Sequence, residues 1–212
     1  VAVALRGRRR LFERGIAMAR RGLPAILAVR IAATATFLAV DSFVPLAADR
    51  VHHVSPLVQG FTIIGAALLW SLGQWWRARH PDVAPAASVR RGLLLVAGGI
   101  IATSAVLLPH WPLWAVFLSW APAGFGMGLL FNPTTVAAMT YAEAGREGRL
   151  SSQITLADSL GFSLMGAAGG ATVAAADRHV WSIRTALAIN FSMALCLSLV
   201  AFVAAGRVEA RR

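Results

Sequence analysis

The chain contains no lysine: all 20 of its basic residues are arginine, set against nine Asp and Glu. Charge of either sign is scarce. Charged residues make up 14% of the chain, where soluble domains run at about a quarter. With 58% hydrophobic residues and a mean hydropathy of +0.67, this composition excludes an ordinary soluble domain. A single cysteine, Cys196, lies inside an apolar run, which excludes a disulfide framework and carries no redox information. No cleavable signal peptide is readable, because the first apolar run begins only at residue 23 and is too long. No phosphate loop, metal-ligand cluster or haem ligand set stands out, so neither metal nor other cofactor is expected. The chain opens on Val rather than Met. That opening is compatible with a truncation, an alternative start codon or the back half of something larger.

What the chain does have is six apolar runs, at 23–48, 55–76, 92–109, 111–140, 150–176 and 183–206. A helix needs about 20 apolar residues to cross a bilayer. The runs are too long and too continuous for barrel strands, and unpaired backbone in lipid costs several kcal/mol per group. An all-α, polytopic membrane protein with six transmembrane helices follows. Arginine placement orients it. With the N-terminus inside, the inner segments 1–22, 77–91, 141–150 and 207–212 hold seven, four, two and three arginines. The outer loops hold only Arg50, Arg178 and Arg184. This is a positive-inside pattern, with both termini cytoplasmic in a bacterial-type inner membrane. It also accounts for the net charge of +11 without nucleic acid. Residues 1–22 read either as a basic amphipathic segment on the membrane surface or as a soluble linker. Residues 207–212 form a basic tail.

Charge inside an apolar run is costly, and marks function by default. The first run holds Arg30 and Asp41, and the fifth holds Asp158. Neither 92–109 nor 185–206 carries a charge. The third and sixth helices are therefore expected to face lipid, and the first, fourth and fifth to surround something polar. Arg30 and Asp41 are eleven residues apart, about three helical turns, so they project from one face. Asp41, toward the outer side, is the candidate proton or cation coupling site. Snorkelling of Arg30 and solvation of Asp41 beside Asp49 and Arg50 are the simpler alternatives. Arg30 and Asp158 fall at similar depth, which allows a buried ion pair acting as a gate or as structural glue. Asn132 precedes Pro133, where a kink frees backbone polar groups that are tolerated if they line a cavity. Gln59 reads as an interhelical hydrogen bond or a cavity residue.

Enzyme chemistry finds no support. A Gly161-Phe-Ser163-Leu stretch would need a basic partner at membrane depth, as in intramembrane serine proteases. All five histidines (His52, His53, His80, His110, His179) fall in or beside loops. Intramembrane aspartyl chemistry would need Asp41 and Asp158 at one depth, and they fall near opposite faces. No catalytic residue is expected.

The stretch from Trp120 to Gly170 is the most informative. Two Gly- and Ala-rich runs flank the polar turn Ala142-Glu-Ala-Gly-Arg-Glu-Gly-Arg149. Gly124-Phe-Gly-Met-Gly128 and Gly166-Ala-Ala-Gly-Gly170 both satisfy small-xxx-small, whose physical content is close backbone approach within the domain or against a partner. The glycine-rich helix ending in Phe131-Asn132-Pro133, the turn Glu143-Ala-Gly-Arg-Glu-Gly148, the start Ser151-Ser-Gln and the pair Leu160-Gly161 resemble the tenth and eleventh helices of the major facilitator superfamily, particularly its drug:proton antiporters. The first hairpin, Asp41-Ser-Phe-Val-Pro-Leu and Ser55-Pro-Leu-Val-Gln-Gly60, looks like the seventh-to-eighth helix region.

The resemblance implies half of a transporter: the C-terminal six helices, with a three-plus-three inverted repeat divided near Pro109–Pro112. It implies that the first and fourth helices line a cavity, the second and fifth meet an N-terminal six-helix half, and the third and sixth face lipid. The expected function is proton-coupled efflux of small amphiphilic organic compounds by alternating access. Asp41 is the coupling candidate, and Gln59, Trp120, Phe131 and Asn132 are the candidate cavity residues. The competing expectation is a non-transporting six-helix membrane protein, or transporter relic, that assembles with itself or with another transporter.

Overall fold

Proline sets most of the boundaries. Pro24, Pro56 and Pro85 stand in the first turns of the first three helices, where the missing N–H is unpaired in any case and φ is already helical. In the computed structural model, which describes residues 16–208, the helices are α1 (Leu23–His52), α2 (Pro56–Arg79), α3 (Pro85–Thr103), α4 (Leu113–Met139), α5 (Glu147–Asp177) and α6 (Ile183–Ala205). Short 3-10 turns stand at Ile16–Met18 and Ser104–Leu107. Among the described residues there are no strands, and all six helices are long and apolar enough to cross a membrane. Most of the 1–22 segment (residues 1–15) and the end of the basic tail (209–212) lie outside the described residues.

The helices outrun the apolar stretches that signal them. α1 continues through Asp49 and Arg50 to a left-handed His53. α3 begins at Pro85 rather than at residue 92, so Arg90 and Arg91 belong to its opening turns, and α6 takes in Arg184. The third and sixth helices thus carry charge, but only near their starts. Hydropathy marks where a helix is apolar; hydrogen bonding continues until proline, glycine or a left-handed residue stops it.

α1 is the most buried helix and lies against α5 and α6. α4 packs on α2 and α3, and α3 meets α6. Glycine permits the tightest of these approaches. A Cβ on Gly124 would stand 1.9 Å from the Ala66 carbonyl oxygen, and one on Gly128 2.3 Å from that of Trp70. Gly126, between them, faces α3: its Cβ would lie 2.4 Å from the Gly92 carbonyl oxygen. Alternate glycines of one motif therefore admit two different helices, as expected for residues 200° apart on the helix, about twice the turn per residue. The second motif behaves otherwise. Among the described residues nothing lies within 4 Å of a Cβ on Gly166 or Gly170, and close approach on α5 belongs to Gly161 and Gly169.

Candidate functional site

Two polar centres lie within this packing. The first is built on Arg30, which is 2% exposed. Its Nε donates to Asp158 Oδ1 at 2.9 Å and its Nη2 to Asp158 Oδ2, a two-pronged ion pair between α1 and α5. Gly161, one turn from Asp158 on the same face, lets the backbones close up: a Cβ there would lie 2.2 Å from the Ile31 carbonyl oxygen. The remaining nitrogen, Nη1, reaches α4 and donates to the Phe131 carbonyl at 3.0 Å, to Thr135 Oγ1 at 2.8 Å and to Thr134 Oγ1 at 3.2 Å. The guanidinium also sits 3.9 Å from the centroid of the Phe131 ring. Planarity and a fixed fork of donors suit arginine to this task and exclude lysine.

Arg30 grips α4 where proline weakens it. Pro133 has no N–H for the carbonyl of Leu129, four residues earlier. That carbonyl instead accepts a hydrogen bond from Ser88 Oγ of α3 at 2.6 Å. Thr134 and Thr135 donate back to carbonyls of the preceding turn, which leaves their oxygens free to accept from Arg30. α1, α3 and α5 thus converge on one break in α4, with every freed group satisfied.

The second centre is Asp41, three turns along α1. Trp120 Nε1 of α4 donates to its Oδ1 at 2.8 Å, and the Trp120 ring is fully buried. No arginine or histidine stands within ion-pair distance of Asp41 among the described residues. Between the two centres the space is filled by rings. Trp120 stacks on Phe37 with centroids 5.1 Å apart. Phe37 meets the edge of Trp70 at 5.2 Å, and Trp70 meets Phe131 at 5.4 Å. The row covers the roughly 16 Å that eleven helical residues rise. The centres are joined by packing and not by a chain of hydrogen bonds.

The structure therefore brings together Arg30, Asp158 and Phe131 at one centre and Asp41 with Trp120 at the other. It does not bring in Gln59 or Asn132. Gln59 donates to Asp49 Oδ1 and to the Val54 carbonyl, both at 3.2 Å, and so closes the α1–α2 turn. Its place in the first turn of α2 is too near the helix end to reach the bundle interior. Asn132 is exposed, turned about 100° from Phe131 by its single-residue offset. Sequence reasoning missed Phe37, Trp70, Ser88 and the Thr134–Thr135 pair. Only the threonines carried a usable signal, as hydroxyls placed directly after an intrahelical proline. Among the described residues no group of His, Cys, Asp and Glu could hold a metal ion. Comparison with known proteins adds no family: no family model matches the chain, and neither does a curated protein.

Proposed function

We propose that this chain is one six-helix half of a secondary active transporter of the major facilitator type, moving small amphiphilic organic compounds outward in exchange for protons. In this reading the basic end of the bundle, with both termini, faces the cytoplasm across a bacterial-type inner membrane. The observation that carries the proposal is Asp41. A carboxylate within an apolar helix, held among the described residues by one indole and no cation, is the group type on which proton relays are built.

Two further features support it. The helix contacts are roughly preserved when α1 is exchanged with α4, α2 with α5, and α3 with α6: α4 lies against α2 and α3 as α1 lies against α5 and α6. That is the pairing a three-plus-three inverted repeat produces. The outward faces also differ in kind. α3 and α6 expose Leu94, Ile101, Leu199, Val200 and Val203, which suit lipid. α2 likewise exposes Leu57, Phe61, Leu68 and Leu72, whereas α5 exposes Ser152, Ser159, Ser163, Gly170 and Ala174 along one side. Small and hydroxylated side chains suit another helix, here the N-terminal half.

The test is proton flux in proteoliposomes containing the transporter that carries this chain. Asp41→Asn is expected to abolish substrate-driven proton movement while substrate counterflow persists; undiminished coupling removes Asp41 from the mechanism. The same small-residue face would serve a non-transporting protein that pairs with itself. Cross-linking of two copies through α5, without any proton flux, would favour that second reading.

A further inference from the structure

At the basic end, between the start of α1 and the α4–α5 turn, lies a cleft of about 120 Å³ that neither polar centre uses. Leu23 and Leu150 form its buried apolar walls, Tyr141 flanks it, and Arg146, Arg149 and Glu143 stand at its rim. Arg146 donates to Glu143 at 2.7 Å, with both side chains well exposed. Arg149 is exposed and has no acid within ion-pair distance among the described residues.

The chain entering α1 adds to this charge. Gly22 turns it sharply at φ +84°, so close to Tyr141 that a Cβ would stand 2.7 Å from the phenol oxygen. Its N–H donates to the Arg207 carbonyl at 3.2 Å, and Arg207 Nη1 donates to the Met18 carbonyl at 2.8 Å. Arg20, Arg21 and Arg207 are thereby fixed at the same end as Arg146 and Arg149, where the acids among the described residues are Asp82, Glu143 and Glu147.

We propose that this cleft binds the phosphate of an anionic phospholipid, with Arg149 and Arg146 as the donors. Guanidinium groups match phosphate oxygens in pairs. Arg146 is shared with Glu143, which competes with the phosphate. The apolar walls at Leu23 and Leu150 accommodate the glycerol end. A lipid rather than a soluble phosphate fits because the cleft lies at the first turns of α1 and α5, where these helices enter the bilayer. Basic pockets between helices at the cytoplasmic surface are suited to such headgroups. The proposal rests on the orientation given above but not on transport, so its test is read by binding alone.

The measurement is native mass spectrometry of the full chain released from detergent with phosphatidylglycerol or phosphatidylcholine. Selective retention of phosphatidylglycerol is expected. Arg146→Gln with Arg149→Gln should weaken it roughly thirtyfold, about fivefold for each arginine. Glu143→Gln, which removes the competing acid, should strengthen it. Arg90→Gln with Arg91→Gln removes equal charge from α3 at the same end, outside the cleft, and should leave retention within twofold. Equal loss from the two double variants would make the effect diffuse surface charge and overturn the site. Displacement of the lipid by inorganic phosphate as readily as by phosphatidylglycerol would assign the cleft to a soluble phosphate and overturn the lipid. No preference for phosphatidylglycerol would overturn both.

Discussion

Asp158 and Asp41 are the two carboxylates inside the apolar runs of these helices, and they are treated in opposite ways. Asp158 receives two donors from Arg30, whose third nitrogen is spent on α4. Among the described residues Asp41 receives one donor, the indole of Trp120, and no cation. A carboxylate whose charge is fully answered holds helices together. One that is answered by a single neutral donor can change its proton or its partner without dismantling the fold. In the proposed reading, the difference separates a structural pair from a coupling site along a single face of α1.

The largest effect should come from breaking the answered pair. Arg30→Met leaves Asp158 unpaired and the Phe131 carbonyl without its arginine donor, and should cost about 3–5 kcal/mol in reversible unfolding in detergent micelles. Arg30→Met combined with Asp158→Leu removes both charges, and most of that loss should return, leaving about 1–2 kcal/mol. If the double variant is as unstable as the single one, the pair is not what makes Arg30 structural. Trp120→Phe keeps the stack on Phe37 but removes the donor to Asp41, at an expected cost of about 1 kcal/mol. A loss as large as that of Arg30→Met would make Asp41 structural too. Gln59→Ala, at the α1–α2 turn, should shift stability by less than about 0.5 kcal/mol. It should also leave substrate binding in a fluorescence titration unchanged.

The six helices were legible because each apolar run approaches or exceeds what a bilayer crossing requires. The meeting of Arg30 with Asp158 was legible as depth: both stand about two turns from the basic end, and depth is countable from loop positions. Azimuth was not. Small-xxx-small describes a smooth face without saying which neighbour it meets, so Gly124 and Gly128 pack on α2, whereas among the described residues nothing lies within 4 Å of a Cβ on Gly166 or Gly170. The rings of Phe37 and Trp70 were silent for the same reason, since an aromatic residue in an apolar helix looks alike whether it faces lipid or links two charged centres. Ser88 was hidden by a boundary. It lies in a stretch that reads as loop, and only the helix start at Pro85 carries it to the carbonyl that Pro133 frees.

The most direct measurement compares proton coupling in proteoliposomes for Asp41→Asn and for the Arg30→Met, Asp158→Leu double variant. Asp41→Asn is expected to lose proton coupling in a folded protein, whereas the double variant retains it at whatever level its stability allows. Coupling that survives Asp41→Asn and vanishes in the folded double variant would reverse the assignment of the two carboxylates and contradict the account.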